Sequence, residues 1–168
     1  MNDERLRMKE FLEFLRFAMD KHTTQPEHLE EMDWQGLHDF GQKQAILGVL
    51  FCGIERLTGD NKPSRELLMQ WYMESEQIRK RNIVMNRQSA RLTKKFQAEG
   101  FRNCIIKGQG NATMYPQPYS RNPGDIDIWL EGDRKKILRY VRQYVPNANH
   151  QYHHVDFPVV KGVAVEIH

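Results

Sequence analysis

Trp71, Ser75, Ile78, Asn82, Met85, Ser89, Leu92 and Phe96 follow one another in alternate steps of four and three residues. A spacing kept up for that long holds the chain to a helix with one seam against a partner. Ser75, Asn82 and Ser89 are polar, so the seam is poor as a free-standing coiled coil and is expected to pack on the helices before it. The helix should start at the N-cap Ser64 and run to Glu99, with Gly100 as its stop. Beyond Gly100 the apolar residues recur with period two between short turns, the signature of strands. One chain thus carries two patterns, which predicts an α+β fold: a helical region over 1–99 and a small mixed-sheet domain over 100–168.

Further helices are expected upstream. Leu6, Phe11, Leu12, Phe14, Leu15, Ala18 and Met19 make one wide apolar face over 4–19. Asp33 suits the N-cap of a short helix, and 42–57 reads as one largely buried helix ending before Thr58-Gly59. With 39% hydrophobic and 28% charged residues, the chain is neither a disordered tail nor a fibrous protein. Its apolar run at 45–54 is far short of the roughly 20 residues that cross a bilayer. The N-terminus MNDERLRMKE is too charged for a signal peptide. A cytoplasmic location without membrane contact is therefore expected. Cys52 and Cys104 have no C-x-x-C partner, so they offer neither a disulfide framework nor a thiolate zinc site and are expected to be buried free thiols.

The formal net charge of +3 hides an asymmetry: 3–33 holds nine acids against five bases, whereas 79–107 holds nine bases against Glu99. The basic stretch is either a solvated helix face or a surface for a polyanion such as nucleic acid.

After Gly100 the pattern reads as a short buried strand at 104–106, a turn at Gly108-Gln109-Gly110 and a proline-containing loop. A strand at 125–130, a helix over 133–145, and strands at 151–157 and 162–168 follow. In the 125–130 strand Ile126, Ile128 and Leu130 face the core, so Asp125 and Asp127 project together on the other side. Two neighbouring carboxylates repel unless a cation joins them, and Mg²⁺ takes oxygen ligands of this kind. In the last strand Val163, Val165 and Ile167 are apolar, leaving Ala164, Glu166 and His168 on the opposite face. If the two strands are neighbours over one core, Glu166 joins the aspartates. Upstream, Lys107-Gly108-Gln109-Gly110 is either an ordinary turn or a place where backbone N–H groups meet a phosphate. The fork of Arg121 can grip a phosphate or pair with an acid. His150, His153, His154, Asp156 and His168 are crowded enough for a zinc set, but on a strand His153 and His154 point to opposite sides.

The order Gly-x-Gly, D-x-D after a loop, and a lone acid in a later strand resembles the nucleotidyltransferase superfamily that includes DNA polymerase β. More closely, IIKGQGNATMYPQPYSRNPGDIDIWLE with the terminal VAVEIH is similar to an uncharacterised bacterial nucleotidyltransferase family, over 104–168. The resemblance implies a small polymerase-β-like core, with Asp125, Asp127 and Glu166 as catalytic ligands of Mg²⁺, two ions, with Mn²⁺ as a substitute. It places Gly108 in the nucleotide-binding turn, and with it Lys107, Gln109, Gly110 and Arg121 are the expected nucleotide-binding residues. The implied reaction moves a nucleoside monophosphate from a nucleoside triphosphate such as ATP to a hydroxyl acceptor and releases pyrophosphate. The wider superfamily carries Gly-Ser or Gly-Gly at the turn, whereas Gln109 follows Gly108 here. A nucleotide- or nucleic-acid-binding module without turnover is the alternative. Because the chain stops at His168, inside a strand carrying a proposed catalytic residue, a longer protein or a partner covering the sheet is expected.

Overall fold

In the computed structural model, which describes the backbone of residues 2–168 and the side chains from Glu4 onward, the chain opens with α1 (Asn2–Met19). Met1 and the side chains of Asn2 and Asp3, part of the helical region expected over 1–99 and of the acid count over 3–33, lie outside the described residues. The Asp33 carboxylate accepts the Gly36 N–H at 2.8 Å and starts α2 (Trp34–Lys43). Then comes α3 (Leu47–Arg56). The long α4 (Arg65–Ala98) starts where Ser64 Oγ accepts the Leu67 N–H at 3.3 Å. It ends in a Schellman closure, with the Phe101 N–H on the Phe96 carbonyl (2.9 Å), the Gly100 N–H on that of Gln97 (3.0 Å), and Gly100 at φ 78°. The rest comprises β1 (Asn103–Ile106), the short α5 (Gly108–Ala112), β2 (Ile126–Leu130), α6 (Arg134–Tyr144), β3 (Val155–Asp156) and β4 (Val165–Ile167). The fold is α+β.

The single helix expected over 42–57 is two helices. The Ile46 N–H bonds to the Gly41 carbonyl (2.9 Å) and the Ala45 N–H to that of Gln42 (3.1 Å), with Ala45 left-handed at φ 56°. This closure needs αL backbone at Ala45, and neither glycine nor proline marks it in the sequence.

The chain divides into two compact units. The first comprises Met1–Lys80 and Met114–Asn122. Phe14, Leu37, Leu50, Ile54 and Trp71 are buried in its core, and the Trp71 Nε1–H donates to the Leu47 carbonyl at 3.0 Å. α1 and α3 approach closely at Gly53, where a Cβ would lie 2.9 Å from both Ala18 Cβ and Phe14 Cε1. Arg56 gathers the end of α1 by donating to the carbonyls of Phe17, Asp20, Lys21 and Thr23.

The second unit comprises Arg81–Thr113 and Pro123–His168. Its sheet has the order β1-β2-β4-β3, with β2 and β4 parallel and the two outer pairs antiparallel. Met85, Leu92 and Phe96 of α4 share a core with Ile126, Ile128, Leu130, Val141, Phe157, Val165 and Ile167. Of the α4 seam, Trp71 and Ile78 pack in the first unit's core with the preceding helices, as the spacing predicts, whereas Met85, Leu92 and Phe96 pack with the sheet and α6 of this unit. Phe96, Phe101, Tyr140, Tyr144 and Phe157 form a run of ring contacts 5.1–6.4 Å between centroids. Burial, with the Tyr144 hydroxyl close by, pushes the Tyr140 phenol far above its ordinary range.

Two local expectations change. β1 is an edge strand and not a buried one: Cys104 is exposed and paired across the ladder with the exposed Trp129. The last two strands are shorter than 151–157 and 162–168. The stretch before Val155 is a turn, closed by the Gln151 N–H on the His154 carbonyl at 2.8 Å.

Candidate functional site

Alternation along β2 sends Ile126, Ile128 and Leu130 into the core and Asp127 to the other face. Parallel pairing sets Asp127 opposite Glu166, and the antiparallel pairing of β3 and β4 sets Asp156 opposite the same Glu166. Directly paired residues share a face, so three carboxylates cross three neighbouring strands at one level. Asp127 is only 5% exposed, which makes its charge dependent on close partners.

Those partners are cations and imidazoles. Asp127 Oδ1 accepts from Lys107 Nζ at 2.9 Å and from His168 Nε2 at 2.8 Å. His168 Nε2 also lies 3.6 Å from Glu166 Oε2, and the His153 ring stacks on His168 with centroids 6.3 Å apart. The hydrogen bond to Asp127 raises the Lys107 pKa above its ordinary 10.5; burial works against it, and the fields of Asp127, Glu166 and Asp125 add to it. Lys107 reaches this position at a backbone cost, since it stands at φ 49°, ψ −135° between β1 and α5.

The glycines beside it have steric reasons. A Cβ on Gly110 would lie 2.9 Å from the Ile105 carbonyl oxygen, so α5 seats against β1 only with glycine there. Gly108 opens α5. The Gln109 side chain is buried and donates through Nε2 to Asn86 Oδ1, which ties the turn to α4.

Two sets of groups offer ligand atoms within 4.8 Å of one another among the described residues: Asp127, Glu166 and His168, and His154, Asp156 and Glu166. Asp125 is half-buried, immediately precedes β2 and belongs to neither set, although its charge reaches Lys107. Arg121 follows the 3-10 turn Pro118–Ser120 and is grouped with the first unit. Reading the turn before Val155 as a strand concealed the position of His154, since side-chain alternation does not govern a turn. Asp156 entered the sequence reading only through the crowd of histidines; no sequence pattern shows that its strand pairs with that of Glu166.

Fold and site together define an α+β protein with a carboxylate-lined sheet face, flanked by lysine and histidine and suited to divalent ions and phosphate groups. The chain belongs to a family of uncharacterised nucleotidyltransferases, whose sequence model matches residues 30–168. Searches of curated proteins and of solved structures each found no match. Family membership supports a transferase with nucleotidyl transfer as its general activity. Among the described residues no helix is long and apolar enough to cross a membrane.

Proposed function

We propose that this protein moves a nucleoside monophosphate from a nucleoside triphosphate to a hydroxyl acceptor, releasing pyrophosphate, on a polymerase-β-like core. The observation that carries the reading is the pairing of Asp127 with Glu166 on neighbouring parallel strands, within a chain of this family. The donor set fits a hard divalent cation, because both side chains offer carboxylate oxygen and their charges stand directly opposite. Asp125, Asp127 and Glu166 would hold Mg²⁺ or Mn²⁺, two ions in all, which supplies charge neutralisation at the triphosphate and a lower pKa for the acceptor hydroxyl.

The chain's own residues supply the rest. Lys107, charged at neutral pH and beside Asp127, attracts phosphate oxygens. Gly108 opens the turn that receives the triphosphate in this reading, Gly110 seats that turn against β1, and Gln109 holds it through Asn86. His168 fixes the orientation of the Asp127 carboxylate through its 2.8 Å contact. A binding module without turnover is the second reading, favoured by the position of Asp125 outside both close sets. The exposed bases Arg81, Arg87, Arg91 and Lys94 make RNA one acceptor class to include.

Pyrophosphate release from mixed triphosphates with Mg²⁺ separates the two readings. Turnover by the wild type and its loss in Asp127→Asn, with the fold retained, is the expected result. Nucleotide binding without any pyrophosphate, across protein, RNA, sugar and small-molecule acceptors, would favour the binding module.

A further inference from the structure

His154 is 9% exposed, and its buried Nδ1 makes no hydrogen bond. That nitrogen lies 3.3 Å from Glu166 Oε2, while Nε2 lies 3.5 Å from Asp156 Oδ1. Asp156 is oriented from behind, because Asn149 Nδ2 donates to its Oδ2 at 3.0 Å and leaves Oδ1 toward the imidazole. The register sets Asp156 and Glu166 directly opposite, an arrangement that costs stability unless a cation lies between. The spacing is informative. A single ion takes one imidazole nitrogen, and one nitrogen of His154 with one oxygen each of Asp156 and Glu166 all lie within 4.8 Å of one another, close enough to meet at a common ion.

The geometry points to a second metal site of the zinc class, held by His154, Asp156 and Glu166, beside the Asp127 end of the same carboxylate row. One imidazole nitrogen and two carboxylates make the three-ligand set that zinc, cobalt or manganese accepts with a position left open, whereas Mg²⁺ prefers oxygen alone. Asn149 serves as the outer partner that orients Asp156. The site shares Glu166 with the proposed nucleotide site but does not depend on nucleotidyl transfer.

The test uses the full chain, with Zn²⁺ and Co²⁺ as probes and no nucleotide present, so its failure would leave the transfer reading untouched. Calorimetry should show Zn²⁺ binding whose affinity falls at least about tenfold in His154→Gln and in Asp156→Asn. Bound Co²⁺ should show the visible absorption of a site with few ligands. Since His154 is buried and its variants can misfold, imidazole ¹⁵N spectra of the wild type supply an independent readout: Zn²⁺, but not Mg²⁺, should shift the His154 ring nitrogens. Zn²⁺ that shifts only His168, that leaves both rings unmoved, or that binds folded His154→Gln as tightly as wild type would overturn the inference.

Discussion

Lys107 combines a left-handed backbone with an ion pair to a buried carboxylate. Its pKa is raised, so the contact is complete at and below its ordinary value and is lost only as pH rises through the higher one. Activity lost between pH 5 and 8 therefore belongs to other groups. Lys107→Gly removes the ammonium and relaxes the positive φ. We expect a tenfold or greater loss in triphosphate affinity, with relief of the positive φ offsetting only part of the stability lost when the buried Asp127 loses its cation; an unchanged triphosphate affinity would show that the lysine serves the fold alone. The cysteines give a second prediction. Cys104 is exposed, whereas burial raises the Cys52 thiol pKa, so a disulfide reagent at neutral pH should label Cys104 first and Cys52 at least about tenfold more slowly. At this scale Glu166 and His168 were legible, because alternation in the last strand sets them on one face. The exposure of Cys104 was not, since an apolar run does not reveal that its strand lies at a sheet edge.

The break between α2 and α3 turns on one residue. Ala45 is exposed and left-handed, a conformation that costs a residue with a Cβ about 1–2 kcal/mol, against about 0.5–1 kcal/mol of extra chain entropy for glycine. Ala45→Gly should therefore stabilise the protein by roughly 0.5–1 kcal/mol, seen as a higher urea midpoint at unchanged slope. A lower midpoint would mean that the turn is held by something other than its backbone bonds. Helix starts and stops that use side chains or glycine, at Asp33, Ser64 and Gly100, could be read directly. β3 could not be delimited, because a strand of two residues exists only by virtue of the ladder it joins.

Two cores support the chain, one around Phe14, Leu50 and Trp71 and one around Phe96, Ile128 and Phe157. Phe96 is fully buried and touches two other rings, so Phe96→Ala should cost the second unit about 3–5 kcal/mol. Hydrogen exchange should then lose protection first in β2 and β4; loss confined to the end of α4 would show that Phe96 does not support the sheet. Local spacing alone determined the α+β class, the helix that ends at Gly100, the Asp127 and Glu166 faces and the glycine turn, because helix and strand periods are properties of neighbouring residues. Only the tertiary structure decided which strands lie side by side, and hence that Asp127, Glu166 and Asp156 form one row with Lys107, His168 and His154 around it. Strand pairing depends on distant backbone groups and a shared core, and no spacing within a single strand encodes it.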